Sequence, residues 1–376
     1  MFLIRSHYLI YLGMVDNPQK PVDDPRIRGR GATFNPTGRF CNEEREVISD
    51  DWSDFRSEEA AFQTTITLET ARSILSRNTS PDLPFDRSIN PYRGCEHGCI
   101  YCYARPTHAY MDLSAGLDFE TKLFAKPNAA SLLRKTLSHK KYSCKPIALG
   151  TNTDPYQPTE KKLKITRSIL EVLAETKHPF TITTKSDLVT RDIDIISETA
   201  KENLSCVCIS VTSLDNKLSR LMEPRASAPH NRLKAIETLA SAGIKVIVQI
   251  APVIPAINDM EIEQIMKAAK DSGASQAIYI PVRLPHEVSD LFKGWLEQHY
   301  PDRASKVMKL IRSMRNGREN DPDFGGRMKG NGPYADLIRM RFQNSARHLK
   351  LDNRMYDLDT SLFIPPQNPG DQLCLL

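Results

Sequence analysis

Three cysteines crowd one short stretch, Cys95-Glu-His-Gly-Cys99-Ile-Tyr-Cys102, a C-x3-C-x2-C pattern with an aromatic residue just before the last thiol. Three thiolates on one loop can each hold an iron of a [4Fe–4S] cube, and nothing nearby supplies an obvious fourth. An iron without a protein ligand is an open coordination position, and open positions are where metals do chemistry. Two plainer readings compete. A structural zinc site would need a fourth ligand from His97 or His108, and no second ligand pair follows. A disulfide framework suits short, cysteine-rich chains, whereas 8 cysteines here are spread over 376 residues.

The C-x3-C-x-aromatic-C arrangement resembles the signature of the radical SAM superfamily. The resemblance implies that the open iron binds the amine and carboxylate of S-adenosylmethionine (SAM). It also implies one-electron cleavage of a C–S bond and release of a 5′-deoxyadenosyl radical. The protein must then position SAM, exclude water and offer only the intended hydrogen.

The remaining thiols (Cys41, Cys144, Cys206, Cys208 and Cys374) lack ligand spacing. Cys206 and Cys208 lie on an apolar run and read as small core residues. Reduced thiols fit a cytoplasmic protein. The uncharged N-terminal stretch from Ser6 to Val15 is too short to span a bilayer, and Met14 competes with Met1 as the start. Net charge is +5, but residues 301–350 hold 12 Lys/Arg against 5 Asp/Glu. That excess suits an anionic partner such as DNA, with a solvated helix face as the alternative.

These residues need elements to position them. Residues 1–60 are polar and irregular, and read as a flexible or loosely docked N-terminal arm. Over 61–290 short apolar runs alternate with helical patterns. Strands are predicted to end near Gly150, Thr184, Val211, Pro252 and Pro281, and a weaker one covers Ser88 to Tyr92. Ile165, Ile169, Val172 and Leu173 share a helix face. So do Leu233, Ile236 and Leu239, closed by Gly243, and Ile262, Ile265 and Met266, closed by Gly273. Six parallel strands with outer helices give an α/β fold resembling the (β/α)6 partial TIM barrel of radical SAM enzymes. Chemistry then belongs at the C-terminal strand ends. Residues 291–357 read as a basic helical C-terminal extension, and 358–376 as an extended tail.

Each loop after a strand is therefore a site candidate. Asn152, in Thr151-Asn152-Thr153-Asp154, can bind the methionyl ammonium or simply form a turn. Lys185 can pair the SAM carboxylate. Ser210 shares parity with Cys208 and can bond the ribose or pack in the core. Arg225 can hold a carboxylate or phosphate bidentately, or pair with Glu223. Tyr279 and Arg283 share parity and are expected to face the cavity, with Tyr279 as a candidate hydrogen-atom relay or a packing residue.

Several longer stretches resemble the spore photoproduct lyase-like, DNA-repair-photolyase-like branch of the superfamily. They are SPDLPFDRSINPYRGCEHGCIYCYARPTHAY, GTNTDPYQPTE, TITTKSDL, EPRASAPHNRLKAIETLASAGIKV, APVIPAIND and the later GGRMKGNGPYA. The resemblance implies cluster ligation by Cys95, Cys99 and Cys102. It implies adenine contacts from the backbone near Tyr101, Val253 and Ile254, and an electron donor of the flavodoxin or ferredoxin type. One departure stands out. Spore photoproduct lyases carry a hydrogen-donor cysteine at the end of the second strand, where this chain reads Leu149-Gly150-Thr151. The terminal Gln372-Leu373-Cys374-Leu375-Leu376 resembles the pentapeptide that docks on the DNA sliding clamp, with two leucines for an apolar groove. Three functions stay open: a nucleic-acid lyase, a modifier of protein, tRNA or a small metabolite, and a non-catalytic Fe–S sensor on DNA.

Overall fold

The architecture comes from a computed structural model that describes residues 29–40, 63–352 and 357–366. The rest of the expected N-terminal arm, both candidate start sites and the Gln372–Leu376 motif lie outside the described residues. Ten strands are present: β1 Thr65–Leu68, β2 Leu75–Arg77, β3 Arg87–Ile89, β4 Tyr92–Arg93, β5 Lys122–Ala125, β6 Ile147–Leu149, β7 Phe180–Thr184, β8 Ser205–Ser210, β9 Val246–Val253 and β10 Gln276–Pro281. The main sheet runs β10-β9-β8-β7-β6-β3-β2. All its neighbours pair parallel except β2, which lies antiparallel on β3. Six parallel strands in sequential order, with crossover helices between most of them, make the expected partial barrel.

Alternation on the strands separates two environments. Ile182, Val207, Ile209, Val248 and Ile250 point outward and are fully buried against helix residues such as Ile169, Leu173, Ile236, Leu239 and Ile265. The opposite face carries Cys206, Cys208, Ile247 and Ile278, a separate small cluster lining the barrel interior. Helix Pro229–Ser241 starts on proline, whose missing N–H costs nothing there, and stops before Gly243, whose φ of +78° a side chain would disfavour.

The predicted strand over Ser88 to Tyr92 is corrected. It divides at Asn90-Pro91, where proline has no N–H to give a ladder. Its first part, β3, pairs with β6, and its second, β4, joins β5 and β1 in a separate three-stranded sheet. The expectation of a loose arm is also corrected for residues 29–40. Ala32 is fully buried, and the Gly31 and Ala32 amides donate to the Glu120 carboxylate at 2.9 and 2.8 Å.

Helices Val288–His299, Pro301–Ser313 and Gly332–Leu349 follow the last strand. Arg315, fully buried, donates to the carbonyls of Pro281 and Val282 at 3.0 and 2.9 Å and to that of Arg327 at 2.7 Å. It thereby pins the glycine-rich loop to the end of β10. Arg327 in turn grips Asp82, in the β2–β3 loop, through two bonds of 2.7 and 2.6 Å. This ion pair joins the two ends of the main sheet.

Candidate functional site

The cysteine loop leaves β4 and is shaped by close backbone approach. A Cβ on Gly31 would stand 1.7 Å from the Gly98 carbonyl oxygen, so only glycine fits there. Arg105, wholly buried, donates to the carbonyls of Cys99 at 2.9 Å and Gly98 at 3.1 Å, and pairs with Glu120 at 2.5 Å. The Cys95 amide donates to Phe119 and the Ile100 amide to Met222, at 2.9 and 3.0 Å. The thiol-bearing loop is thus held from both sides by main-chain partners.

Cys95 and Cys99 are buried and Cys102 half-buried. Cys95 feels the charge of both other thiols, and Cys99 that of Cys102. Burial pushes the Cys99 thiol up to about 12, against the pull of the Lys185 ammonium. Thiols crowded and desolvated in this way become thiolates only beside strong positive charge, which an iron–sulfur centre provides. Each histidine a zinc site would recruit has one ring nitrogen beside another acceptor. His97 Nδ1 lies 3.3 Å from Asp154, and His108 Nε2 lies 3.0 Å from the Lys122 carbonyl. Among the described residues no three His, Cys, Asp or Glu side chains converge as a single ion would require.

The strand tops around this loop carry a connected polar network. Asn90 accepts from the amide of Asn152 at 2.9 Å and so shapes the turn after β6. Asp154 accepts from Thr184 Oγ1 at 2.6 Å and the Lys185 amide at 2.8 Å. Its carboxyl sits at about 2, because His97 and these donors outweigh the cost of burial. Glu223, buried, accepts from Tyr101 Oη, from Thr212 Oγ1 at 2.6 Å and from Arg232. Arg232 also donates to the Ser210 carbonyl at 3.0 Å. Lys185 Nζ stands 5.9 Å over the Tyr101 ring. Among the described residues it has no ion-pair carboxylate; burial lowers its pKa, yet Cys99 and Glu223 raise it above the ordinary value. Ser210 Oγ is fully buried and has no hydrogen-bond partner.

The structure therefore brings Tyr101 and Lys185 close to Cys99, sets the Ser210 carbonyl on Arg232 and Asn152 in the turn after β6, and rearranges the other candidates. Arg225 pairs with Glu96 at 3.4 Å, whereas Glu223 takes Arg232 instead. Val253 and Ile254 have fully buried side chains. The Ile254 amide is spent on Asn258 Oδ1 at 2.6 Å, and the Val253 carbonyl accepts from Val282 at 2.9 Å. The shared cavity-facing parity of Tyr279 and Arg283 is corrected. Tyr279 points outward, its ring 4.6 Å from that of Phe342 on helix Gly332–Leu349. Arg283 lies past the end of β10, beyond a register irregularity, and stacks at 5.0 Å on the Tyr103 ring.

Sequence reading passed over Asn90 and Arg232, and took Asp154 only as part of a turn and Glu223 only as an alternative partner for Arg225. Asn90 and Asp154 each precede a proline, Asn90 inside the predicted Ser88 to Tyr92 strand and Asp154 in the turn after Gly150, a turn signal that marks where such groups sit. The Glu223–Arg232 pair leaves no such local trace.

Comparison with known proteins agrees with this geometry. The radical SAM superfamily model matches residues 89–269. An uncharacterized protein of Mycobacterium tuberculosis is 35% identical over 232 residues, covering 61% of this chain and 68% of the relative. An uncharacterized protein of Methanocaldococcus jannaschii is 30% identical over 214 residues, covering 57% and 76%. Among solved structures, a cysteine-to-serine mutant of spore photoproduct lyase aligns with a TM-score of 0.55 at 16% identity, over 82% of this chain and 85% of that one. Spore photoproduct lyase complexed with dinucleoside spore photoproduct aligns at 0.54 and 16%, over 76% and 79%. At that identity the likeness establishes the fold. Motif, family match, relatives and barrel together show that the chain belongs to the radical SAM superfamily, enzymes that work with a [4Fe–4S] cluster and SAM.

Proposed function

We propose that this enzyme acts on nucleic acid in a repair-like lyase reaction. In this reading Cys95, Cys99 and Cys102 would hold the cluster, and residues at the tops of β6, β7 and β8 would bind SAM. Reduced by a flavodoxin or ferredoxin-type donor, the cluster with SAM supplies a 5′-deoxyadenosyl radical. The chain's own residues bind and orient. Asn152 faces the ammonium, Lys185 the carboxylate and Ser210 the ribose, while the Tyr101 backbone meets the adenine. Arg225, half-exposed beside Glu96, remains available to a carboxylate or phosphate.

The observation that carries the SAM assignment is a buried hydroxyl, Ser210 Oγ, without a partner among the described residues, with the Lys185 ammonium close to Cys99. Buried polar groups left unsatisfied are uncommon in native proteins and point to a missing ligand or water. The nucleic-acid part rests on the basic surface of residues 301–350, where Arg303, Lys306 and Lys309 are exposed. It also draws on the lyase solved with its dinucleoside photoproduct. The Gln372–Leu376 motif supports contact with the DNA sliding clamp, and the reading places the enzyme in the cytoplasm. No helix among the described residues is long and apolar enough to cross a membrane.

The test is direct. Anaerobically reconstituted protein with dithionite and SAM should form 5′-deoxyadenosine. With ultraviolet-damaged DNA and deuterium-labelled SAM, label should pass between cofactor and nucleic acid. Absence of 5′-deoxyadenosine would remove the SAM assignment. Its formation without any change in DNA would remove the nucleic-acid one.

A further inference from the structure

Two exposed aromatic rings stand near the open side of the barrel, each capped on one face by a guanidinium. Tyr103 directly follows Cys102, is 48% exposed, and its hydroxyl is anchored to the Thr151 carbonyl. Arg283 covers it at 5.0 Å. Phe324, on the glycine-rich loop, is 59% exposed and is covered by Arg327 at 4.7 Å. Arg315 bonds both the Arg327 carbonyl and the carbonyl of Val282, the residue before Arg283, so the two stacks are neighbours. The Arg327 guanidinium is fixed by Asp82 and the loop behind it by Arg315.

An aromatic ring with one free face and a cation on the other suits a flat, electron-rich, anionic-backbone ligand. Nucleobases stack on such rings whatever their identity, while arginine adds charge for the phosphates. Bases inside a duplex have their faces occupied by one another, so only an unpaired base can use them.

We infer that Phe324 and Tyr103 form a stacking track for unpaired bases of a single-stranded or locally opened nucleic acid, leading from the surface to the cysteine loop. This inference rests on the nucleic-acid reading above and narrows its substrate to unpaired strands. The basic surface of the 301–350 region supplies the charge complementarity, and the track supplies preference for an opened strand.

The experiment uses fluorescence anisotropy of the full chain with a labelled single-stranded oligonucleotide and its duplex, at two salt concentrations. Wild type should prefer the single strand. Phe324→Ala should weaken that binding about 5- to 150-fold, the range expected for losing one stacked base. The fold-loss should be equal at both salts, because no phosphate contact is removed. Phe324→Trp should retain binding, and its indole emission should be quenched as the oligonucleotide is added. Formation of 5′-deoxyadenosine without nucleic acid should stay at the wild-type rate in both variants. Salt-dependent binding in which Phe324→Ala matches wild type, or equal affinity for duplex and single strand, would overturn the track while leaving the nucleic-acid reading standing. A wild type that binds neither strand form would overturn both, and Phe324 would then belong to a protein-docking surface.

Discussion

Ser210 and Lys185 are the residues where the SAM assignment is most exposed to test. Ser210→Ala removes a buried hydroxyl that bonds nothing in the protein. The ligand-free protein should be as stable or more so, by about 1 kcal/mol, while SAM affinity falls about fivefold. Thermal unfolding with and without SAM would show the two effects moving in opposite directions. Lys185→Gln should weaken SAM binding about 10- to 100-fold, the worth of a charge-assisted hydrogen bond; equilibrium dialysis on reconstituted protein checks it. How much of the site can be read from sequence depends on how local its geometry is. The three cysteines are legible because a cluster dictates their spacing within one loop. Ser210 is legible through strand parity. Glu223 is legible only as a neighbour of Arg225, because its true partner, Arg232, is chosen by how helix Pro229–Ser241 packs behind β8.

At the scale of elements, periodicity locates the strands and helices well, since apolar faces must meet. It fails where a strand stops being a strand. Parity with Arg283 predicts an inward Tyr279, but β10 ends at Pro281, and Arg283 is then placed by loop geometry rather than by pleat. The docking of residues 29–40 is invisible for a different reason: Ala32 and Phe34 enter the core singly, and the other ties are scattered bonds to Glu120, Asp118 and Ser114, which leave no periodic pattern. Glu120 is therefore a demanding position. Glu120→Gln breaks a buried pair with Arg105 and should cost about 3–5 kcal/mol, read by denaturant unfolding. Glu319 offers a pH test on the helices after the barrel. Despite the cost of its burial, bonds from Ser289, Arg312 and Lys293 hold its carboxyl at about 2, below the ordinary 4.5. A depressed folded pKa favours the folded state above the ordinary value. That contribution should fade as pH falls from about 4.5 to 2, and in Glu319→Gln this part of the acid limb should flatten.

For the whole molecule, charge distribution sets the expected behaviour toward nucleic acid. Replacing Arg303, Lys306 and Lys309 by alanine should lower affinity uniformly across sequences. It should also reduce the slope of log affinity against log salt by up to about 3, one unit for each phosphate no longer neutralised. Deleting residues 372–376 should abolish clamp binding in a pull-down while leaving oligonucleotide affinity unchanged. Under the proposed nucleic-acid reading, the two variants separate recognition of the substrate from delivery to it.

The seam between Asp82 and Arg327 has its own consequence. Elsewhere in the main sheet, neighbouring strands are knitted by ladders of backbone bonds, but here its two margins are tied through a single carboxylate that takes the Arg327 guanidinium and the Gly325 amide. One carboxylate on the β2–β3 loop thus acts as the clasp of an otherwise open sheet, answering two donors from the loop beyond β10.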